Sequence, residues 1–305
     1  MPTYTRDRCP LCGSVEHRVL GTLDRAGAVL PPPADSAILS CAACALVYVN
    51  PMPHWGADEF EFLYGNRYFG HVNRDWEAKR STEIPAYRFQ VISRLIRSDA
   101  KTALEIGSGV SAFMARFLAD RGWQVDAQEP SAAFVEHLRK ADSRINLLHQ
   151  PFLSLPSTRR YSLVYADSVL EHVPEPAAYF KKISELLEPG GLLYFVSPNE
   201  YSLGNLLATL RNRLGSGNAR MLCPYSSSYH LVGYSKRAAD SIGRRVGLRL
   251  VRFARERDFE WWRALRRNPR SILRYVHTAA AFAADALGLG TNLEVAMRRD
   301  PTSSL

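Results

Sequence analysis

The sequence predicts an α/β fold in which a doubly wound parallel sheet follows a small metal-binding module. Three observations support this prediction: strands and helices alternate after residue 101, a glycine-rich turn follows the first of these strands, and two C-x-x-C pairs lie near the N-terminus. Strands that alternate with helices are typical of parallel sheets covered on both faces. Such sheets bind ligands beyond the carboxyl ends of their strands, so we expect the functional site there.

The composition is that of an ordinary globular protein. The chain has 305 residues, of which 46% are hydrophobic and 23% charged, enough for one sizeable core and a small accessory module. No apolar run reaches the roughly 18–20 residues that a membrane-spanning helix needs, and the first residues lack the apolar stretch of a secretory signal. Four of the five cysteines form C-x-x-C pairs, which favours a metal site in a reducing compartment. We therefore expect a cytoplasmic protein.

The elements divide the chain into three predicted parts. Residues 1–50 hold the cysteine pairs, residues 51–100 form an aromatic-rich connector and a helix, and residues 101–305 form the main sheet domain. The main domain contains a helical insertion at about 261–287, which is too long for a hairpin turn between the last two strands. Its predicted strands are residues 102–106, 123–128, 145–148, 162–166, 192–196, 248–253 and 292–298, and its predicted helices are residues 112–119, 131–140, 176–187 and 236–246.

The connector ends in a predicted helix over residues 81–97. Apolar residues recur there at helical spacing and predict its buried face; they are Ile84, Tyr87, Val91 and Leu95. Ser81 is positioned to act as the N-cap of this helix.

The two C-x-x-C pairs predict a structural zinc site. Cys9 and Cys12 form the first pair, and Cys41 and Cys44 form the second. Each pair places two thiolates on one tight turn, and two such turns complete a tetrahedral zinc site. Because four thiolates leave no open coordination position, we expect the metal to hold the module together rather than to take part in a reaction. The alternative is a set of four buried free thiols.

A glycine-rich turn between a strand and a helix predicts a ligand site. Gly107 and Gly109 let the backbone turn sharply and approach a ligand closely. Glu105, inside the turn, would repel a pyrophosphate but suits a cationic or amino-bearing ligand. After the next strand, Glu129-Pro130 places a carboxylate where it can accept hydrogen bonds from both hydroxyls of a ribose. These two carboxylates, and the missing third glycine of the dinucleotide pattern, argue against a dinucleotide.

Several segments resemble the class I S-adenosylmethionine-dependent methyltransferases. Residues 103–129 are similar to the first motif of that family and to the acidic strand end that follows it. Further similar segments are residues 167–174 (DSVLEHVP), 187–191 (LEPGG), 197–199 (SPN) and 230–235 (HLVGYS). The resemblance implies a Rossmann-like fold and S-adenosylmethionine as the cofactor. The cofactor-binding residues that it implies are Glu105, Gly107, Gly109, Glu129, Pro130, Asp167 and Tyr68.

Three further details accompany the resemblance. Ser111 stands where the family often has a third glycine, and we expect its side chain to cap the following helix. The cysteine module resembles the zinc-binding domain that precedes certain bacterial sugar and natural-product methyltransferases, which implies zinc as a second bound group. The larger sugar C-methyltransferases of this kind carry an additional C-terminal domain for which this chain is too short, so the sugar acceptor and C-methylation stay open.

Methyl transfer to a hydroxyl group or a carbon acid needs a base. The resemblance places His172 and His230 at the mouth of the site, with Tyr229 beside the second histidine, and we predict these three residues as catalytic candidates. The alternative for each histidine is a structural role. Some ubiquinone-pathway O-methyltransferases bind a cation here through two glutamates and a histidine. Glu171 and His172 match that pattern, but Ser168 replaces the other glutamate, so we expect no catalytic metal.

The predicted function is methyl transfer from S-adenosylmethionine to a small-molecule acceptor. We expect O- or C-methylation of a sugar, a nucleotide-linked sugar or a natural-product intermediate. An RNA methyltransferase is one alternative, but most of the chain is close to neutral, which disfavours a nucleic acid as partner. The other alternative is a non-catalytic scaffold that keeps the cofactor site and uses the cysteine module to bind a partner. The sequence does not indicate the oligomeric state.

Most of the net charge of +9 lies in one segment. Residues 244–274 contain eleven arginines, no lysine and three acids, and this segment extends into the predicted insertion. We expect the insertion to form a helical flap beside the acceptor site, where its arginines receive an anionic group of the acceptor. Two alternatives are a basic amphipathic helix that lies on a membrane surface and a solvated helix face.

Overall fold

The computed structural model describes residues 3–22, 35–53, 82–203, 206–207, 210, 230–255, 290 and 292–301. Its strands, in chain order, are β1 (Thr3–Tyr4), β2 (His17–Thr22), β3 (Ala37–Cys41), β4 (Val47–Asn50), β5 (Met52–Pro53), β6 (Thr102–Ile106), β7 (Gln124–Gln128), β8 (Asn146–Leu148), β9 (Tyr161–Asp167), β10 (Leu187–Pro198), β11 (Val232–Gly233), β12 (Leu248–Arg255) and β13 (Asn292–Arg299). Its helices are α1 (Glu83–Leu95), α2 (Phe113–Ala119), α3 (Ala132–Ala141), α4 (Pro176–Leu186) and α5 (Lys236–Arg245), with 3-10 turns at Phe152–Ser154 and Leu170–His172.

The largest sheet has seven strands in the order β12-β13-β10-β9-β6-β7-β8. The five strands from β10 to β8 are parallel, whereas β13 runs antiparallel to both of its neighbours. The order reverses between β6 and β9, and a crevice at such a switch point is where sheets of this type bind ligands. This arrangement confirms the predicted doubly wound α/β fold.

The central strands are buried on both faces, as expected for a parallel sheet covered by helices. Side chains alternate between two apolar clusters along each strand. Val164 and Phe195 belong to one cluster, whereas Tyr165 and Tyr194 belong to the cluster on the other face. The rings of Tyr165 and Tyr194 stack in parallel with centroids 6.0 Å apart.

Three local expectations are wrong. The N-cap of α1 is Thr82 and not Ser81. The predicted stripe is confirmed in part, because Ile84, Val91 and Leu95 pack against the core, whereas the buried positions of α1 are Pro85, Arg88 and Ile92. The N-cap of α2 is Ala112, in the left-handed conformation, so Ser111 does not cap this helix. The strand predicted at residues 192–196 begins earlier, at Leu187, and continues through a bulge, so the glycines after Pro189 lie within β10.

The N-terminal module contributes a four-stranded antiparallel sheet in the order β11-β4-β3-β2. Its fourth strand, β11, comes from a distant part of the chain: Val232 pairs with Tyr48, and Gly233 pairs with Val47. A separate two-stranded sheet joins β1 to β5. The predicted division at residue 50 therefore omits a strand that completes the larger sheet of the module.

Some predicted features lie outside the described residues. They are most of the connector, the insertion at 261–287, Tyr68 and Tyr229. Among the helices that the structure describes, none has the length and apolar character that crossing a membrane requires.

Candidate functional site

The glycine turn lies at the switch point, directly after β6. Gly107 and Gly109 have φ angles of 59° and 62°, a region that favours glycine. The turn is tightly packed on one side, since a Cβ on Gly107 would lie 2.7 Å from Cγ2 of Val169. The hydroxyl oxygen of Ser108 is buried and has no hydrogen-bond partner among the described residues. The turn therefore allows the backbone to approach a ligand closely, and the hydroxyl of Ser108 is a polar group that suits such a ligand.

Glu129 joins the end of β7 to this turn. Its Oε2 accepts a hydrogen bond from the N–H of Gly109 at 2.8 Å, and its Oε1 accepts one from the N–H of Ser131 at 2.8 Å. A carboxylate oxygen can accept more than one hydrogen bond, so Glu129 can support the turn and still bind a ligand hydroxyl. The carbonyl of the adjacent Pro130 lies 3.2 Å from a ring nitrogen of His149.

Glu105 is buried beneath the turn, at 3% exposure. Its Oε2 accepts a hydrogen bond from the N–H of Ala115 at 2.7 Å. This N–H lies in the first turn of α2, where helix N–H groups need partners and a negative charge interacts favourably with the helix dipole. Glu105 thus shapes the turn from below, a role that the sequence analysis did not anticipate.

A buried arginine beside the end of β9 was missed by the sequence analysis. Arg88, on α1, forms an ion pair with Asp167, with Nη1 and Oδ2 3.0 Å apart. It also donates a hydrogen bond to the hydroxyl of Tyr165. A buried charge needs such partners. The position of Arg88 on the same helical stripe as Pro85 and Ile92 could have indicated this buried ion pair, because a charged residue is unusual on a buried stripe.

The structure brings two of the three catalytic candidates together. The ring centroids of His172 and His230 are 4.7 Å apart. His172 ends the 3-10 turn after β9, and His230 comes shortly before β11. The two segments are joined by the backbone, because the N–H of Leu231 donates to the carbonyl of Glu171 at 2.7 Å.

Glu171 lies behind the two histidines. Its side chain is fully buried, and its Oε1 is 3.8 Å from Nε2 of His172. Within the described part of the chain, neither oxygen of this carboxyl group has a hydrogen-bond partner. Burial, together with the negative charge of Asp167, raises the pKa of Glu171 to about 8. The carboxyl group therefore holds a proton at neutral pH and can donate it in a hydrogen bond.

This shift predicts a pH-dependent stability. Between pH 5 and 8 the folded chain keeps the Glu171 proton, which the unfolded chain has released, so the free energy of unfolding falls as the pH rises. Glu171→Gln removes this contribution, and its stability relative to the natural chain should rise by roughly 1 kcal/mol per pH unit. Urea unfolding at pH 5, 6, 7 and 8 measures the difference. Equal pH slopes in the two proteins would contradict the raised pKa.

Glu171, His172 and His230 are also residue types that bind metal ions. One ligand atom from each lies within 4.8 Å of the others. The expectation of no catalytic metal was based on Ser168, whose hydroxyl donates to Oδ1 of Asp167 at 3.3 Å. His230, which is distant from Glu171 and His172 in the sequence, joins this group through a long-range contact. The absence of a catalytic metal stays a prediction.

The four cysteines of the module converge on one point. The Sγ atoms of Cys9 and Cys44 are 3.7 Å apart, and those of Cys12 and Cys41 are 3.5 Å apart. Tetrahedral zinc with Zn–S bonds of about 2.3 Å needs sulfur atoms about 3.8 Å apart, so this arrangement fits the ion. The hydrogen bond that Cys9 and Cys44 share lowers the pKa of the Cys9 thiol and raises that of the Cys44 thiol.

Curated relatives match part of this chain. It is 27% identical over 140 residues to a ubiquinone biosynthesis O-methyltransferase of Nitrosospira multiformis, covering 44% of this chain and 58% of the relative. A protein of the same name from Azotobacter vinelandii is 28% identical over 144 residues, covering 45% of this chain and 62% of the relative. The chain therefore spans about three fifths of the length of these relatives.

Solved structures share the fold at low identity. One is a chain from the complex of the Haloferax volcanii Trm112 methyltransferase activator with a methyltransferase, with a TM-score of 0.53, 15% identity, and coverage of 81% of this chain and 99% of that chain. Another is phosphoethanolamine N-methyltransferase 2 of Haemonchus contortus in complex with S-adenosyl-L-methionine. Its TM-score is 0.53 at 15% identity, and the match covers 84% of this chain and 63% of that chain.

A family model described as a methyltransferase domain matches residues 78–284, more than half of the 305-residue chain. The matched region contains the glycine turn, Glu129, Asp167 and both histidines. The chain therefore belongs to this methyltransferase domain family, within the class I S-adenosylmethionine-dependent methyltransferases.

Proposed function

We propose that this chain transfers a methyl group from S-adenosylmethionine to a small-molecule acceptor. The observation that carries this proposal is the set of groups at the switch point: the glycine turn, the Glu129 carboxylate, and the Arg88–Asp167 ion pair. The relatives named for O-methylation in ubiquinone biosynthesis support O-methylation of a small molecule. The proposal also includes C-methylation, and a sugar or another natural-product intermediate as the acceptor.

The residues suit different parts of the cofactor. Glu129 would accept hydrogen bonds from the ribose hydroxyls, beside Pro130 and the glycine turn. Arg88 and Asp167 carry opposite charges, which suit the carboxylate and the amino group of the methionine part. When bound, S-adenosylmethionine supplies an electrophilic methyl group. Tyr68 stays a candidate for a cofactor contact from the connector.

The histidine pair would remove the proton of the acceptor. A neutral imidazole is a suitable base near pH 7, and His172 and His230 lie together where the acceptor is expected. The remaining work of the protein is to hold the acceptor in line with the methyl group.

Calorimetry with S-adenosylmethionine, followed by transfer of labelled methyl to a panel of phenols and sugars, tests the proposed function. Binding and transfer support it, and failure to bind the cofactor would reject it. Binding without transfer to any acceptor favours the scaffold alternative. RNA that co-purifies, with an affinity that falls steeply with salt, favours the RNA methyltransferase.

We also propose that the four cysteines hold one structural zinc ion. Elemental analysis of protein purified without added metal should find one zinc per chain. Cys41→Ser should release it and destabilise the module, because zinc binding and folding are coupled in such sites. Cys223→Ser, which changes a cysteine outside the two pairs, is the control and should keep the metal. Metal-free protein with normal thermal stability would show that the thiols are only packed.

The arginines of the predicted flap, which lies outside the described residues, are proposed to bind an anionic group of the acceptor. Arg266→Ala combined with Arg267→Ala should raise the acceptor KM about tenfold or more, since each guanidinium loses a charge-assisted hydrogen bond. Arg139→Ala combined with Lys140→Ala, in the last turn of α3, is the charge-matched control. Sedimentation with anionic vesicles tests the membrane alternative. If neither KM nor vesicle binding changes, the arginines form a solvated face.

A further inference from the structure

We propose that the N-terminal module is part of the active site, because its sheet holds the segment that carries His230 against the turn that carries His172. Metal binding by the four cysteines would then determine how the two histidines are arranged. The catalytic part of this inference rests on the proposed function, whereas its structural part can be tested without any acceptor.

On one side, the segment that carries His230 is bound by the module. The residue after His230 is Leu231, whose carbonyl accepts a hydrogen bond from the N–H of Val49 at 3.0 Å. The next two residues form β11, which pairs with β4 as an edge strand of the module. A strand of two residues has little stability of its own, so its position depends on β4.

On the other side, the same segment is bound by the turn after β9. The N–H of Leu231 donates to the carbonyl of Glu171 at 2.7 Å, and the hydroxyl of Tyr234 donates to the carbonyl of Leu170 at 3.0 Å. The backbone of Leu231 therefore connects the module to the residue adjacent to His172. This double hydrogen bonding makes Leu231 a positioning residue for the histidine pair.

The cysteines determine where β4 begins. β3 ends at Cys41, and the turn that reverses the chain into β4 contains Cys44. In this turn the N–H of Cys41 donates to the carbonyl of Leu46 at 2.9 Å. The two cysteines also lie against Cys9 and Cys12 of the first pair. A zinc ion would join the two turns through four metal–sulfur bonds, so loss of the metal would loosen the turn and the strand that follows it.

A second connection joins the module to the main domain. Nη1 of Arg245, in the last turn of α5, donates a hydrogen bond to the carbonyl of Cys12 at 2.6 Å. Arg245→Ala therefore weakens the docking of the module while it keeps all four cysteines. Its neighbour offers a matched control, because Arg244 is mostly exposed and pairs with Asp240 on the same helix.

The experiment compares the full chain as purified, after treatment with a zinc chelator, and as the two arginine variants. Hydrogen exchange is measured at the amides of Val49 and Leu231, and imidazole NMR spectra are recorded for His172 and His230. We expect chelation to speed exchange at both amides by about tenfold or more, and Arg245→Ala by a smaller factor. The signals of both histidines should shift, whereas that of His137, on α3, should stay unchanged. Arg244→Ala should match the natural chain.

Two further measurements separate positioning from general unfolding. The affinity for S-adenosylhomocysteine should change less than about threefold on chelation, and kcat should fall by about tenfold or more. Zinc release with unchanged Leu231 exchange and unchanged histidine signals would overturn the proposal, as would protein purified without zinc. If the histidine signals shift but no acceptor is ever methylated, the structural inference stands and the proposed function fails.

Discussion

Replacing Glu129 with alanine should weaken S-adenosylmethionine binding by two to four orders of magnitude. The carboxylate is proposed to accept two hydrogen bonds from the ribose, and charge-assisted bonds of this kind contribute roughly 1.5–3 kcal/mol each. The variant also loses the bonds that Glu129 accepts from Gly109 and Ser131, so the glycine turn becomes less well held. Isothermal calorimetry with the cofactor measures the effect.

Two comparisons make this result specific. Glu129→Gln keeps the shape and one acceptor oxygen, so it should bind the cofactor more tightly than the alanine variant but less tightly than the natural chain. Glu136→Ala removes an exposed carboxylate that pairs with Lys140 on α3, and it should bind normally. Thermal unfolding checks that each variant is folded. Unchanged affinity in a folded Glu129→Ala protein would reject this carboxylate as a cofactor residue.

Replacing His230 with alanine should lower kcat by about two to four orders of magnitude, the range expected when a general base is lost. The cofactor affinity should stay the same, because His230 is not among the residues proposed to hold S-adenosylmethionine. Steady-state kinetics at saturating cofactor, with any acceptor that the natural chain methylates, measures the loss. His137→Ala, at an exposed position of α3, is the control and should keep full activity.

The double variant tests whether the two histidines act together. Their rings are in contact, so His172→Ala added to His230→Ala should cost little more than the first change alone. If the two losses multiply instead, the histidines act independently. A His230→Ala protein with the kcat of the natural chain would exclude this residue as the base.

The main sheet was predictable because its signals are local. Each central strand is a short apolar run followed by turn residues, as in residues 102–109, and each helix begins within two residues of its predicted start. The placement of the candidate residues was predictable to the same extent, since the glycine turn and Glu129 follow strands and Asp167 ends β9. Parallel strands end at the same edge of a sheet, so these residues converge without further information.

The remaining features depend on contacts between distant parts of the chain. Nothing near Arg88 in the sequence indicates Asp167 or Tyr165 as its partners, and a one-residue offset of the buried stripe on α1 hid it. Ser111 has the right side chain for an N-cap, but the N-cap is Ala112, and the carboxylate of Glu105 accepts the hydrogen bond from the N–H of Ala115 that a capping side chain would otherwise accept. The pairing of β11 with β4 could not be predicted from hydrophobic periodicity, because a strand of two residues is too short to show a repeating pattern.

The origin of β11 has a consequence for the synthesis of this protein. Tyr48 leaves the ribosome more than 180 residues before its partner Val232. Because translation proceeds at about 5–20 residues per second, the last strand of the cysteine module is synthesised on the order of ten seconds or more after β4. During this interval the edge of β4 is an unpaired strand, open to association with other chains.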